Sequence, residues 1–271
     1  MTVTLEPLPM EEARRFWKDK VQMSPSAFRK LADEAKVKAF AVSGIAKGDE
    51  LKTVFTAMER AIDDGISFDQ FKRECGDIFE RRGWTGKRAW RVDNIFRTNI
   101  QTAYNVGRYK QLTEDRDVLP YWMYSAINDS RTRPTHLAMN GRVWPADHPV
   151  WNTWYPPNGY RCRCSVIALT ERQVKNRGLK VQDKDITHRL IEPISPETGQ
   201  KMPARQMLPD PGFATNPGKD YWGDLGAVMT ERLAAYPAQL ATAVLKELTK
   251  DKRLAELLKE QEKKRGDRDE N

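Results

Sequence analysis

Two histidines and two cysteines, residue types that often bind transition metals, lie close together in the second half of the chain. They are His136, His148, Cys162 and Cys164, in a chain with three histidines and three cysteines in all. One residue separates the two cysteines in "RCRCSVIAL", so on a strand their sulfurs would face the same side. Two thiolates and two imidazoles are a preferred ligand set for tetrahedral Zn²⁺. The sequence therefore predicts a structural zinc site that fixes the segment between these residues.

The same four residues also allow an interpretation without metal. The intervals between His136, His148 and Cys162 match no standard zinc finger, which uses closely spaced ligand pairs. Buried cysteines often act as small apolar side chains, and a histidine before proline, such as His148, can simply cap a turn. Cys75 belongs to an apolar stripe of helical spacing and is expected in a hydrophobic core. Metal binding and burial without metal both stay open at this point.

The sequence does not predict an enzyme. A zinc hydrolase needs three protein ligands and an open coordination position, whereas a full Cys2His2 set fills all four positions. The deaminase pattern is missing, because Pro149 follows His148 and a single residue separates the cysteines. The chain has no P-loop and no Gly-x-Ser-x-Gly motif. Asp129 beside Arg131 is expected to form a salt-bridged turn; the alternative hypothesis is a metal-dependent nuclease or toxin-like enzyme.

Helical patterns fill the chain before residue 115. Ser24 and Ser67 stand at N-cap positions, and Gly65 stands where a C-terminal cap would. One helix is predicted to continue through Cys75, and a longer one runs from about residue 87 to 112. These patterns predict a helical bundle.

From Pro120 onward the sequence predicts strands and loops instead of helices. "YWMYSAI" is typical of a strand, the Asn140-Gly141 pair in "MNGRVW" predicts a tight hairpin, and "PADHPVWNTWYPPNGY" predicts a loop rich in proline and tryptophan. A final amphipathic helix is predicted over roughly 224–264, with an apolar face of Leu233, Leu240, Val244, Leu248, Leu254 and Leu258. The predicted fold class is α+β: a helical N-terminal region at 1–115, a β-containing core at 116–223, and an amphipathic charged helix at 224–271.

The composition is that of a hydrophilic chain. Of 271 residues, 39% are hydrophobic and 31% charged, with a formal net charge of +8. No membrane-spanning helix is predicted, since no run of 18 apolar residues occurs. We expect no signal peptide, because "MTVTLEPLPMEEARRF" has no basic stretch followed by an apolar one. Three cysteines make no disulfide framework, so we expect a reducing compartment such as a cytoplasm. The positive charge favours non-specific DNA binding, although many proteins are mildly basic.

Three motifs occur together within residues 90–222, namely "AYNVGR", "PPNGYRCRC" and "GFATNPG". With them this stretch resembles the phage Mu head protein F-like family, the minor head or head-morphogenesis proteins of tailed phages. The resemblance also rests on the family-motif residues Arg97, Asp129, Arg131, Thr132, Gly141, Pro157 and Gly159.

The resemblance bears on the metal ligands. Many members have a Cys-x-x-Cys pair after the Asp-x-Arg-Thr stretch and a later His-Pro-Asn-Cys-Arg-Cys. Here Arg133 replaces the first of those cysteines, His136 occupies the second, and Gly159 stands where the later histidine would be. The resemblance implies that His136 keeps a metal ligand and that His148 substitutes for the missing histidine.

The resemblance also implies a function. Members are minor capsid components at the portal vertex that act in head assembly, DNA packaging or DNA delivery. The expected partners are the portal protein, other head proteins and, without sequence specificity, phage DNA; no membrane contact is expected. The expected location is the host cytoplasm during assembly and then the virion, in the capsid interior or at the portal vertex.

Overall fold

The computed structural model describes residues 10–31, 35–46, 48–223, 233 and 238–249, and it confirms the predicted α+β class. The chain divides into two compact units, Met1–Gly218 and Lys219–Asn271. The first unit holds both the helical region and the β-containing region that the sequence separates at residue 115. The predicted three-part division stays a prediction.

Short helices and one long helix build the N-terminal half of the first unit. The α-helices are α1 (Glu11–Lys18), α2 (Pro25–Arg29), α3 (Gly48–Asp63), α4 (Phe68–Glu74), α5 (Gly76–Arg81) and α6 (Trp90–Glu114). Two 3-10 turns, Ala35–Lys38 and Gly86–Arg88, and a parallel pair of short strands, β1 (Val21–Gln22) and β2 (Ala39–Phe40), connect them.

The predicted helix starts are confirmed by their caps. The Ser24 hydroxyl accepts a hydrogen bond from the Ala27 N–H, and the Ser67 hydroxyl accepts one from the Gln70 N–H, each at 3.2 Å. The prediction of one continuous helix through Cys75 is wrong, because Cys75 leaves helical geometry at φ −106° and ψ 10°, where α4 ends and α5 begins. Cys75 is nevertheless 1% exposed among apolar side chains, as its stripe predicts.

Aromatic packing and one close helix contact hold the helical half together. Trp17 of α1 stacks on Phe55 of α3, with ring centroids 5.0 Å apart, and its indole N–H donates to the Phe55 carbonyl. At Gly107 of α6, an added Cβ would lie 3.0 Å from the backbone nitrogen of Ala13. The missing side chain therefore lets α1 lie directly against α6.

A three-stranded antiparallel sheet forms the centre of the second half. β3 (Tyr121–Ser125) lies between β4 (Val143–Pro145) and β5 (Ser165–Leu169). On one face of β3, Trp122 and Tyr124 are fully buried. The other elements of this half are α7 (Pro134–Met139), α8 (Trp151–Trp154), α9 (Glu171–Asn176), β6 (Leu190–Ile191) and β7 (Arg205–Gln206).

Helix α6 joins the two halves by covering the outer edge of β5. Three polar side chains on one face of α6 donate to carbonyl groups there: Gln101 and Asn105 to Cys164 at 3.1 and 3.5 Å, and Arg108 to Val166 at 2.9 Å. Because a free strand edge leaves backbone groups unpaired, these donors give the polar side chains on this face of the long helix a structural role.

Two local predictions are wrong. Asn140-Gly141 does not join two strands; the pair follows α7 and leads into β4, with Gly141 at φ +74°. Cys162 and Cys164 do not lie on a strand, since β5 begins only at Ser165 and Arg161 has φ +57°. Helix α7 takes the place of the first strand of the predicted hairpin, and a turn closed by the Cys162 N–H and the Gly159 carbonyl takes the place of a strand at the cysteines.

The second unit is described in part. The last helices are α10 (Pro217–Trp222) and α11 (Ala238–Leu248), and α11 falls within the helix predicted at 224–264. Leu254 and Leu258 of its predicted apolar face lie outside the described residues. Every helix in the described part of the chain is too short or too polar to cross a membrane.

Candidate metal centre

His136, Cys162 and Cys164 meet in the interior beside the sheet. The Nδ1 atom of His136 lies 3.7 Å from the Cys162 sulfur and 3.5 Å from the Cys164 sulfur. Ligand atoms of the three residues all lie within 4.8 Å of one another, and the side chains are 1%, 3% and 2% exposed. The structure thus brings together three of the four predicted ligands.

The fourth predicted ligand, His148, lies apart from this group. Its Nδ1 atom accepts a hydrogen bond from the Val150 N–H at 3.1 Å, and its Nε2 atom lies 3.4 Å from the Asp183 carbonyl oxygen. The ring also packs beside Trp144. His148 therefore caps the turn before α8, as the interpretation without metal expects of a histidine followed by proline.

A short helix and a tight turn aim the three side chains at one another. Pro134 begins α7 in the position where its fixed φ suits a helix start, and this places His136 in the first turn. The Cys162 N–H donates to the Gly159 carbonyl at 3.2 Å, which closes the turn ahead of the cysteines. The side-chain amide of Gln101, on α6, donates a hydrogen bond to the Cys164 carbonyl.

Arg163, between the two cysteines, points to a different partner. Its guanidinium binds both carboxylate oxygens of Asp129, at 2.8 and 2.5 Å, and donates to the Thr132 hydroxyl at 3.1 Å. The pairing holds the pKa of the Asp129 carboxyl well below its usual range. Arg131, the partner expected from the sequence, lies farther from Asp129 at 3.4 Å and is 79% exposed. The Asp129–Arg163 pair thus fixes the residue between the thiols.

Each of the two thiols shifts the pKa of the other. A hydrogen bond from Cys164, assisted by the His136 imidazole, lowers the pKa of Cys162 well below its ordinary value. The pKa of Cys164 is raised, because the Cys162 sulfur holds its proton and because the group is buried. Two neighbouring buried sulfurs do not both ionise unless a cation offsets their charge. A divalent cation would convert the pair to two thiolates.

Two buried polar residues that the sequence analysis missed complete the surroundings. The Tyr124 hydroxyl donates to Asn158 Oδ1 at 2.9 Å, and it also interacts with Cys164. Both residues are fully buried. The Asn158 side-chain N–H donates to the Thr153 and Tyr155 carbonyls, which fixes the Pro/Trp-rich loop. The alternation of "YWMYS" was the signal that could have placed Tyr124 on the inner face.

Arg133, which replaces a cysteine of the family pattern, turns towards another loop. Its guanidinium binds Asp210 at 2.8 Å and the Tyr160 carbonyl oxygen at 2.8 Å. An added Cβ on Gly159 would meet the Asp210 carboxylate at 2.4 Å and the Arg133 guanidinium carbon at 3.1 Å. Gly159 therefore leaves room for an ion pair at the edge of the candidate centre.

Other motif residues support the same loop. Arg97 and Arg161 both bind the carboxylate of Asp93, each at 2.6 Å, and the Arg161 N–H donates to the Thr98 hydroxyl on α6. The bond between Pro156 and Pro157 is cis. These contacts fasten the turn that carries the cysteines to the long helix.

The ligand types suit zinc, but the described residues supply three of them where a structural zinc site has four. One imidazole nitrogen and two sulfurs are ligands that Zn²⁺ prefers, and structural zinc sites use four. Among the described residues, the group contains no fourth histidine, cysteine or carboxylate. The described part of the chain therefore offers three protein ligands at this place, all of them nearly fully buried.

The comparisons with known proteins find similarity to F proteins of phage Mu and of a Mu-like prophage. A family model described as "Phage Mu protein F like protein" matches residues 52–167, which include the three clustered side chains. The chain is 38% identical over 185 residues to "Mu-like prophage FluMu F protein" of Haemophilus influenzae, covering 63% of this chain and 45% of that protein.

A second relative covers more of the chain. "Putative capsid assembly protein F" of Escherichia phage Mu is 32% identical over 270 residues, covering 89% of this chain and 61% of that protein. The chain thus spans between about half and three fifths of the length of these two relatives. No solved structure matches the chain.

Proposed function

Because the chain belongs to the phage Mu protein F-like family, we propose that it is a minor capsid protein that acts in phage head morphogenesis. The observation that carries the proposal is the similarity to a protein named for capsid assembly over 89% of this chain. The buried network around the Pro/Trp-rich loop supports it, since a rigid loop on a folded core is suited to fixed contacts with other head proteins.

The finer proposal places the protein at the portal vertex. There it would bind the portal protein and neighbouring head proteins and act in assembly, DNA packaging or DNA delivery. It would assemble in the host cytoplasm and remain in the virion, in the capsid interior or at the portal vertex. The net charge of +8 supports an additional, non-specific contact with phage DNA.

A particle experiment tests this role. The gene is deleted from the phage or prophage, and heads are purified with and without a complementing copy. We expect the protein in purified heads by mass spectrometry, capture of the portal protein by the tagged chain, and fewer filled heads without the gene. Normal filled heads in its absence, together with no capture of any head protein, would contradict the proposal.

We also propose that His136, Cys162 and Cys164 hold a structural zinc ion. When bound, Zn²⁺ would supply positive charge that stabilises both thiolates and links α7 to the segment before β5. We expect about one equivalent of zinc per chain purified without chelator. The double variant Cys162→Ser/Cys164→Ser should lose that zinc and melt at a lower temperature.

Matched variants separate metal loss from general damage. Cys75→Ala removes a buried thiol outside the group and should keep zinc, whereas His136→Ala should lose it. His148→Ala should keep zinc, because its ring nitrogens contact backbone groups elsewhere. Less than about a tenth of an equivalent in the parent protein would end the zinc proposal.

A non-enzymatic role is part of the proposal. The three candidate ligands are nearly fully buried, so a substrate has no direct path to a metal bound there. Plasmid DNA incubated with the protein, with and without chelator, distinguishes the alternatives. Unchanged plasmid is expected, and cleavage that chelator abolishes would instead indicate a metal-dependent nuclease.

A further inference from the structure

A groove in the first unit lies between the N-terminal segments, the start of α6 and the loops around residues 157–160 and 211–217. Its volume is about 760 Å³, which is within the range of sites that bind small molecules and short polymer segments. One wall is the polar face of α6, formed by Asn94, Thr98, Asn99 and Thr102. The groove is separate from the buried thiols, although Tyr160 belongs to the turn that precedes them.

Among the described residues that line the groove, every charged side chain is basic. Four basic side chains line it, namely Lys20, Arg29, Lys36 and Arg91, and no described residue of its lining carries a carboxylate. Burial lowers the pKa of Lys20 to about 7, so Arg29, Lys36 and Arg91 supply most of the positive charge at neutral pH. Lys20 is held by the Val37 and Ala39 carbonyls at 2.7 and 3.3 Å. Arg91 lies over the Trp84 ring and donates to the Ser43 carbonyl, so its guanidinium is fixed in place. A concave surface lined by basic side chains attracts anions.

Two large aromatic side chains at the groove are exposed to solvent. Trp90, at the start of α6, and Tyr160, in the loop before the cysteines, are each 55% exposed. Tyr160 packs edge-on against Phe213, with ring centroids 4.9 Å apart, so its ring is held in position. Exposed flat rings beside cations are the features with which proteins bind unpaired bases and the phosphates between them.

We propose that this groove binds a single strand of nucleic acid, with bases stacked on Trp90 and Tyr160 and phosphates beside Arg29 and Lys36. The inference rests on the DNA contact proposed above and specifies its form. The side-chain amides of α6 offer hydrogen bonds to base edges but no code for a particular sequence, so little sequence preference is expected. An acidic peptide would use the cations but would leave the two exposed rings without a role.

Fluorescence anisotropy with a labelled oligothymidine of about 12 nucleotides, and with a duplex of the same length, tests the proposal. The full chain should bind the single strand more tightly than the duplex, and affinity should fall as salt rises. Trp90→Ala should weaken single-strand binding about tenfold, and Trp90→Phe should restore most of it. Arg29→Ala should lower the salt dependence, whereas Arg172→Ala, an exposed arginine of α9 outside the groove, should not.

The outcomes separate the two proposals. Equal binding of duplex and single strand, unchanged by Trp90→Ala, would overturn the groove assignment and leave the DNA contact standing. No binding of either DNA at low salt would overturn both. Poly-glutamate that competes with the oligonucleotide and loses affinity in Trp90→Ala would assign the groove to an acidic peptide instead. Melting curves of each variant confirm that it is folded.

Discussion

At the scale of single residues, the candidate centre depends on side chains that alternate along a short segment. Cys162 and Cys164 face His136, while Arg163 between them is held by Asp129. Spacing was therefore enough to predict that the two thiols lie on the same side of the segment, even though the strand on which that prediction relied begins later. His148 could not be placed from sequence, since a histidine before proline suits both a ligand and a cap.

The Asp129–Arg163 pair predicts a specific acid sensitivity. The pKa of Asp129 is lowered from its ordinary 3.8, chiefly by hydrogen bonding to Arg163. The unfolded chain therefore binds more protons near and below pH 4, so this contribution to stability is present above that pH and lost as pH falls. Asp129→Asn should lower the free energy of unfolding at pH 6, with a smaller deficit at pH 3, in urea titrations with chelator present.

The exposed neighbour Arg131 provides the control for that prediction. Arg131→Ala should change the free energy of unfolding by less than about 0.5 kcal/mol at either pH, because exposed ion pairs contribute little. An Asp129→Asn deficit that is the same at pH 6 and pH 3 would show that the carboxylate charge is not what stabilises the loop.

At the scale of elements, the long helix positions the centre from a distance. Gln101 and Asn105 reach the carbonyl of Cys164, and Arg108 reaches that of Val166. Helical periodicity predicted the helix, but it did not predict what the polar side chains on this face bind. Their partners are backbone groups about sixty residues away in sequence, and no local pattern encodes such a contact.

Removing one of these donors should destabilise the segment that carries the thiols. Gln101→Leu leaves the Cys164 carbonyl short of a partner, which costs about 1 kcal/mol of unfolding free energy. Chemical denaturation measures the loss, and a chelator competition should show weaker zinc retention. Gln111→Leu makes the same change at an exposed position of the same helix and should stay within about 0.5 kcal/mol of the parent. Equal losses in both variants would contradict a role for the α6–β5 contact.

At the scale of the whole molecule, the sequence predicted the α+β class and the helical character of the first half. Capping residues and apolar periodicity are local signals, and those predictions are confirmed at Ser24 and Ser67. The wrong predictions concern segments whose backbone conformation depends on tertiary contacts. At Asn140-Gly141, for example, α7 stands where a strand was expected. The ion pair of Arg133 with Asp210 also could not be predicted from local sequence, because Asp210 lies in a loop far from Arg133 along the chain.

The division into two units leads to a prediction about partner binding. All three candidate zinc ligands lie within Met1–Gly218, so a chain that ends at residue 223 should keep its zinc. Its melting temperature should change by no more than about 4 °C. If the charged C-terminal helix docks on a partner or on a second copy, the same truncation should abolish capture of the portal protein or self-association. Undiminished capture by the truncated chain would rule out this role for the helix.

A point variant tests the same idea in the full chain. Leu245 on α11 is 38% exposed, and an exposed leucine on an amphipathic helix is suited to an apolar contact with a partner. Leu245→Glu should weaken capture of the portal protein at least tenfold, because a buried carboxylate without a partner is costly. Thr242→Glu adds the same charge at another exposed position of α11 and should bind as the parent does. If both variants lose binding equally, charge repulsion explains the loss and Leu245 is not the docking residue.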